Sequence, residues 1–186
     1  MFHLSRKLPA RMTEKKCSRD NEQDSIDDSL DETCIFCRIA NGDDPYTEIL
    51  AKDEEIVCFK DINPGAPHHY LVIPKQHIHS CLSLQENDIG LVTRMAEMGR
   101  DVLKARDVTD LEDISLGFHV PPYITVPHLH LHVLAPFSQK FEWSMVKFTS
   151  FWYLTEEKML HKLTKIKKSD DRKITCNKCM EPCEAM

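Results

Sequence analysis

Residues 128–134 read His-Leu-His-Leu-His-Val-Leu, so histidine alternates with apolar residues along a whole strand length. Side chains of a β-strand point alternately to its two faces. His128, His130 and His132 are therefore predicted to share one face, while Leu129 and the apolar residues that follow it enter the core. Three imidazoles on one sheet face, roughly 6–7 Å apart, are hard to explain by packing alone.

Two chemistries suit three imidazoles on one strand face. Alternate strand histidines can converge on Zn²⁺. They can also carry out covalent phosphoryl or nucleotidyl transfer, because histidine titrates near neutrality and can serve as nucleophile, proton donor or phosphate ligand. A polar face without function is the third interpretation, and strict alternation of three histidines argues against it.

The remaining pattern favours an α+β fold with a largely antiparallel, five-stranded sheet, one long helix and a C-terminal helix, because strands come in clusters around a single long helix. The helices are predicted at Cys34–Ala40, closed by Asn41-Gly42, at about 86–106, capped by Ser83 with Glu86, and after Thr155. The strands are predicted at Glu48–Ala51, Ile56–Lys60, Tyr70–Ile73, Ile114–Val120 and His128–Ala135.

The length of 186 residues fits one domain with tails. Residues 1–32 are predicted to be a disordered tail, basic at first and then acidic, with seven acids and no Lys or Arg from Asp20 to Glu32. The domain is predicted to span 33–168. Residues 169–186 are predicted to form a second tail that carries Cys176, Cys179 and Cys183, which offer too few ligands for a closed metal site and are interpreted as free thiols.

Charge and hydropathy exclude several classes of protein. With 24 Lys and Arg against 30 Asp and Glu, the net charge is −6, so nucleic acid is not an expected partner. Residues 114–139 contain no Asp, Glu, Lys or Arg but include four prolines, so they cannot form one membrane-spanning helix. No membrane partner is expected, in agreement with a mean hydropathy of −0.40.

The eight cysteines are interpreted as reduced thiols, because Met1–Ala10 lacks the long apolar stretch of a secretory signal. We therefore expect the protein in the cytoplasm and the nucleus, since a chain of 21.6 kDa is small enough to diffuse through nuclear pores. A mitochondrial presequence is the minor alternative, because residues 1–19 hold six Lys or Arg and one acid.

With three upstream segments, the histidine run resembles the histidine triad superfamily of nucleotide hydrolases and transferases. The segments are Cys34–Ile39, Cys58–Pro64 and His68–Lys75, and the resemblance extends from about Thr33 to Ala135. Residues 117–122 and 151–153 resemble the aprataxin-like branch, and the Trp-Pro-Pro-Gly ending of shorter members is absent. The resemblance implies a HIT-like fold.

The resemblance also implies catalytic roles. His130 would be the nucleophile that attacks the α-phosphorus and forms a nucleotidyl-histidine, which water then hydrolyses. His132 would hold the phosphate oxygens. His128 and His69 would belong to an adjoining polar network that relays a proton to the leaving amine.

Nucleotide-binding residues follow from the same resemblance. Asp61 matches the acid that holds the ribose hydroxyls, because a carboxylate can accept two hydroxyl hydrogens. Ile62 and Phe59 match apolar walls around the base, with an ordinary core position as the alternative for Phe59. Thr125 matches a serine that assists the leaving group, and His119 lies where shorter members carry an asparagine.

A structural zinc ion is a further expectation, although the mechanism itself requires no cofactor. Cys34 and Cys37 form a C-x-x-C pair, which alone is a weak zinc signal. Some family members complete such a site with residues that match His69 and His128. The alternative is that the two cysteines simply pack on the sheet.

Together these features predict a nucleoside phosphoramidase that hydrolyses the P–N bond of purine nucleoside monophosphate amides, such as AMP amide or lysyl-AMP. The resemblance implies a homodimer or larger homo-oligomer. Three alternatives stay open: aprataxin-like removal of AMP from DNA ends, hydrolysis of dinucleoside polyphosphates, and a nucleotide sensor or scaffold without turnover. The basic, amphipathic last helix is also typical of calmodulin targets, although a packed helix with a solvated lysine face is the favoured interpretation.

Overall fold

The computed structural model describes residues 33–149 and 151–177, with side chains up to residue 166. The helices are α1 (Ile35–Asn41), α2 (Ile89–Lys104) and α3 (Glu156–Asn177). The strands are β1 (Ile49–Lys52), β2 (Ile56–Lys60), β3 (His68–Pro74), β4 (Ser115–His119), β5 (Leu131–Ala135) and β6 (Tyr153–Thr155). Short 3₁₀ turns lie at Glu86–Asp88, Phe137–Gln139 and Glu142–Ser144.

These elements form the α+β architecture that the sequence indicated, with the strands in the order β1-β2-β3-β5-β4-β6. All the neighbouring strands are antiparallel. The sheet has six strands rather than the predicted five, because the chain returns along β4 and pairs Phe118 with Leu154. β6 has only three residues, which is too short for an alternating pattern to reveal it.

The two faces of the sheet are covered by different helices. α2 and α3 cover the face that buries Leu129, Leu131 and Val133. The fit against α2 is close, because a Cβ on Gly99 would lie 2.6 Å from a methyl carbon of Val133. On the other face, α1 contributes Phe36, Cys37 and Ile39 to a second apolar cluster that also holds Val57, Phe59, Leu71 and Ile73.

Helix boundaries follow the sequence except at the start of α2 and at the end of α3. α1 ends at Asn41 and is capped by Gly42, whose φ of 84° is the left-handed conformation that favours glycine. The predicted cap of Ser83 with Glu86 is wrong. The capping box is instead formed by Gln85 and Asp88, because the chain first makes a 3₁₀ turn and α2 begins only at Ile89.

The last helix also differs from its prediction. α3 continues to Asn177, so part of the segment predicted as a tail from 169 is helical, and Cys176 lies within the helix. Cys179, Cys183 and the predicted tail at 1–32 lie outside the described residues. Met159 and Leu163 of α3 are fully buried in the core, which supports the packed-helix interpretation. Among the described helices, none is long and apolar enough to cross a membrane.

Candidate active site

The three histidines lie at the start of β5 and in the extended segment just before it. The predicted strand His128–Ala135 is paired only from Leu131 onward, because the amide of Leu129 donates to the Ile78 carbonyl in a loop instead of a neighbouring strand. The alternation nevertheless holds, since Leu129 and Leu131 lie in the core. All three histidines are buried, and the rings of His130 and His132 lie 4.9 Å apart.

Local hydrogen bonding determines the tautomer of His130. Its Nδ1–H donates to the backbone carbonyl of His128 at 2.6 Å. A neutral ring with its proton on Nδ1 carries a free lone pair on Nε2. Burial lowers the pKa of His130 below its ordinary value, so the ring is neutral at pH 7. His130 is thus held as a nitrogen nucleophile by the backbone two residues earlier.

His132 has the opposite tautomer because of two hydrogen bonds that link Gly65, His69 and His132. The Gly65 amide donates to Nδ1 of His69 at 2.9 Å, so the proton of neutral His69 is on Nε2. That Nε2–H donates to Nδ1 of His132 at 2.9 Å, which leaves the His132 proton on Nε2. Among the described residues, His132 Nε2 is the buried side-chain N or O atom without a hydrogen bond partner. This N–H is therefore available to an oxygen of a bound phosphate.

Burial keeps the imidazoles neutral. It lowers the pKa of His69 to about 4 and that of His119 to about 4, and it lowers the pKa of His132 well below its ordinary value. Asp61 is the neighbouring acid, with Oδ2 3.4 Å from Nε2 of His69 and 3.9 Å from Nδ1 of His132. Burial raises the pKa of Asp61, and the Asn63 amide donates to its other oxygen at 2.7 Å, which opposes that rise.

A cavity of about 430 Å³ opens over these imidazoles. Among the residues predicted for the site, six line it: Asp61, His69, His119, Thr125, His130 and His132. The structure does not place the two predicted base walls there. Ile62 is 90 % exposed in the turn after β2, and Phe59 is 3 % exposed within the apolar cluster under α1, where the strand alternation directs it.

Sequence reasoning missed the second wall of the cavity. It is built from residues 122–124 and from the segment after β5, which contributes Trp143, Val146, Lys147, Phe148 and Trp152. Phe148 is buried and stacks on His119 at 5.2 Å between ring centroids. Because the segment is irregular, no periodic pattern identifies the side chains that turn inward. The Phe-Trp-Tyr run at 151–153 is the one sequence signal for this wall, because it resembles the aprataxin-like branch.

The ring of His128 lies outside the cavity and faces the two cysteines of α1. Its Nε2–H donates to the Pro74 carbonyl at 2.9 Å, so the Nδ1 lone pair points at Cys34 Sγ, 3.5 Å away, and Cys37 Sγ, 3.4 Å away. The predicted place of the His128 ring in the proton relay is wrong, because both ring nitrogens are directed elsewhere. His128 acts on the nucleophile through its backbone carbonyl.

His77, three residues after β3, lies beside Cys34, Cys37 and His128. Its Nδ1 lies 3.2 Å from Cys37 Sγ, and the ligating atoms of Cys34, Cys37, His77 and His128 all lie within 4.8 Å of one another. Two thiols and two imidazoles are a ligand set that suits tetrahedral zinc. The prediction of His69 as a ligand is wrong, because its ring is directed to Gly65 and His132.

The neutral imidazoles make stability depend on pH. His69 has a folded pKa of about 4 and an ordinary unfolded value near 6.5, so the unfolded chain binds the extra proton first as pH falls. We expect the free energy of unfolding to fall between about pH 6.5 and pH 4, by about 2 kcal/mol at pH 5 from His69 alone. Urea titrations at pH 8 and pH 5 measure this difference.

The matched variant for the pH prediction is His119→Asn, which removes one half-buried imidazole whose pKa is also about 4. It should make the stability of the protein less dependent on pH over the same range. Equal urea midpoints at pH 8 and pH 5 in the unaltered protein would contradict the prediction.

Comparison with known proteins now identifies the class. A sequence profile described as scavenger mRNA decapping enzyme C-term binding matches residues 33–146. A solved HIT family hydrolase from Clostridium thermocellum has 31% sequence identity and a TM-score of 0.51, with 55% of this chain and 90% of that chain covered. The chain belongs to the scavenger decapping enzyme C-terminal family, within the histidine triad superfamily.

Individual relatives are more specific. The chain is 70% identical to a Danio rerio protein named adenosine 5'-monophosphoramidase HINT3, over 83% of this chain and 96% of the relative. It is 44% identical to the Mus musculus protein of the same name, over 74% of this chain and 85% of the relative. It is 31% identical to aprataxin of Gallus gallus, over 63% of this chain and 37% of aprataxin.

Proposed function

We propose that this protein is a nucleoside phosphoramidase that hydrolyses the P–N bond of purine nucleoside monophosphate amides. The observation that carries the proposal is the pair of opposite tautomers, with a lone pair on His130 Nε2 and an open N–H on His132 Nε2. Covalent nucleotidyl transfer requires a nucleophile next to a hydrogen bond donor that can hold the phosphate oxygens. The relatives named adenosine 5'-monophosphoramidase support the same substrate class.

The proposed reaction has two displacements. His130 Nε2 attacks the α-phosphorus, a P–N bond to the enzyme forms, and the P–N bond to the amine breaks with its electron pair leaving on the amine. The amine takes up a proton, for which the hydroxyl of Thr125 at the cavity wall is the proposed path. Water then attacks the phosphorus and returns a proton along the same path. The bond between the phosphorus and His130 Nε2 breaks, the nucleoside monophosphate leaves, and His130 recovers its lone pair. Asp61 is proposed to hold the ribose hydroxyls.

AMP release from an AMP–lysine phosphoramidate tests the proposal. We expect multiple turnovers without added metal. Tight AMP binding without turnover would instead support the sensor alternative. AMP release from adenylated nicked DNA or nucleotide release from Ap₃A, with no cleavage of the phosphoramidate, would move the proposal to one of the other two hydrolases.

A structural zinc ion is proposed at Cys34, Cys37, His77 and His128. Bound zinc should raise the thermal midpoint, because a ligand that binds only the folded state stabilises it. We expect about one equivalent of zinc per chain by elemental analysis. His77→Ala should lose most of that metal, whereas His69→Ala, which removes the residue wrongly predicted as a ligand, should retain it. Less than about a tenth of an equivalent in the unaltered protein would refute the site.

A homodimer is a further proposal, to be tested by sedimentation equilibrium. The described sheet ends in β1 and β6, each with one neighbouring strand, so either edge offers backbone groups for pairing. Cytoplasmic and nuclear localisation and calmodulin binding stay predictions from the sequence.

A further inference from the structure

The irregular segment after β5 is held firmly against the active site. The hydroxyl of Ser144 and the amide of Phe141 both donate to the Gly65 carbonyl at 2.9 Å. A Cβ at Gly65 would lie 2.8 Å from the ring of Phe148, so the two segments are in close contact. Gly65 also donates to His69, which orients His132. The same turn therefore supports the imidazoles and the opposite wall of the cavity.

A row of aromatic rings leads from the nucleophile to this segment. Ring centroids are 4.9 Å apart from His130 to His132, 4.3 Å from His132 to His119, and 5.2 Å from His119 to Phe148. The Nε2–H of His119 donates to the carbonyl of Lys147 at 3.0 Å. Lys147 therefore lies beside the end of the row that is farthest from His130.

The ammonium of Lys147 is a cation without an acidic partner. Lys147 lines the cavity, its Nζ lies 4.9 Å from the ring centroid of Trp143, and no carboxylate within the described residues lies within 4 Å of it. The charge of Lys147 adds to burial in lowering the pKa values of His69 and His132, so its field reaches the reacting groups. Asp61 is the acid that lines the cavity. The charge of Lys147 lowers the pKa of Asp61, but the carboxylate lies beside His69 and not within 4 Å of the Lys147 ammonium.

The far part of the cavity is otherwise aromatic. Trp143 lies under the ammonium, and Tyr123 and Trp152 contact each other at the cavity wall. Aromatic walls with one placed charge favour a flat or apolar ligand that carries the opposite charge. A free anion on the ligand would complete the ion pair that Lys147 lacks.

In-line displacement at phosphorus places the leaving amine opposite the nucleophile, which bears on the function of the cavity end that holds Lys147. A phosphorus held between His130 Nε2 and the His132 N–H must expel the amine on the side away from His130. The phosphate oxygens already have the His132 N–H, so the cation at the far end of the row is left for the leaving group. We propose that Lys147 is a specificity-determining residue that selects leaving amines carrying a carboxylate on an apolar or aromatic body. This inference rests on the phosphoramidase proposal and assigns the leaving-group side of the same site.

Two substrates that differ by one carboxylate test the inference. They are AMP joined to the α-nitrogen of tryptophan and AMP joined to tryptamine. For Lys147→Met, kcat/KM should fall about tenfold more for the tryptophan substrate than for the tryptamine substrate, because one charged contact is lost. Lys147→Arg should recover most of that selectivity. The control is Lys140→Met, whose ammonium lies over Phe137 and does not line the cavity, and it should keep the selectivity unchanged.

Each other outcome has a distinct meaning. An equal loss on both substrates would overturn the inference and place Lys147 at the nucleotide phosphate, and a weakened affinity for AMP alone would confirm that placement. No change in selectivity would also overturn it. If the unaltered protein cleaves the AMP–lysine phosphoramidate but neither of these two substrates, the inference is overturned and the phosphoramidase proposal stands. If it cleaves none of the three, the phosphoramidase proposal itself fails. Thermal melting of each variant checks that Lys147→Met, at an exposed position, still folds.

Discussion

His130→Ala and His130→Asn should each lower turnover of AMP–lysine phosphoramidate by about 10⁴- to 10⁶-fold, because removing a covalent nucleophile removes the reaction path and not a single contact. Both variants should still bind AMP, since the cavity retains Asp61 and the open N–H of His132. The measurement pairs steady-state AMP release with AMP affinity by calorimetry.

The structure also supplies a check on what His130 contributes. His130→Asn keeps a polar side chain beside the His128 carbonyl, so loss of turnover there cannot be ascribed to a missing hydrogen bond partner. A labelled nucleotide trapped on the unaltered protein and absent from both variants would identify the bonded residue. Turnover that stays near the unaltered value in either variant would show that the nucleophile is another group.

His69→Leu should lower kcat by about 10²- to 10³-fold, although His69 itself donates no hydrogen bond to the phosphate. Its Nε2–H fixes the tautomer of His132, and without it the His132 proton can move to Nδ1 and leave no donor for the phosphate. A smaller loss is expected for His69→Gln, because an amide offers both an acceptor for the Gly65 amide and a donor for His132.

The neighbouring histidine is the matched control. His68 lies on the same strand, but its Nδ1 meets the Tyr70 hydroxyl at 2.8 Å and it does not line the cavity over the imidazoles. His68→Leu should therefore leave kcat within about twofold. Nitrogen chemical shifts of His132 provide a readout that general destabilisation would not move, and an unchanged tautomer in His69→Leu would contradict the explanation.

Much of the candidate active site could be predicted from the types and order of its residues. The alternation of histidine with leucine predicted which side chains of residues 128–134 enter the core, because a strand has no other way to bury Leu129 and Leu131. It also predicted that His130 and His132 lie side by side, which they do at 4.9 Å between rings. Asp61 and Thr125 reach the same cavity, as the resemblance implied.

Contacts between segments that are distant in sequence could not be predicted from strand alternation or residue type. His68 and His69 lie in β3 and His77 follows it closely. Only the tertiary structure shows that His77 contacts Cys37 while His69 contacts His132. The packing of α1 also buries Phe59 in the apolar cluster, which is the alternative position that the sequence had left open.

Strand alternation and side-chain type are local properties, so the amino-acid sequence predicted the α+β class, the histidine-bearing strand and the chemistry that its side chains can perform. The ring nitrogen that holds the proton in each histidine could not be predicted in this way, because it depends on the carbonyl of His128, the amide of Gly65 and the ring of His69. The tertiary structure alone also brought Lys147 to the cavity, through an irregular segment whose path depends on contacts with a turn far away in sequence.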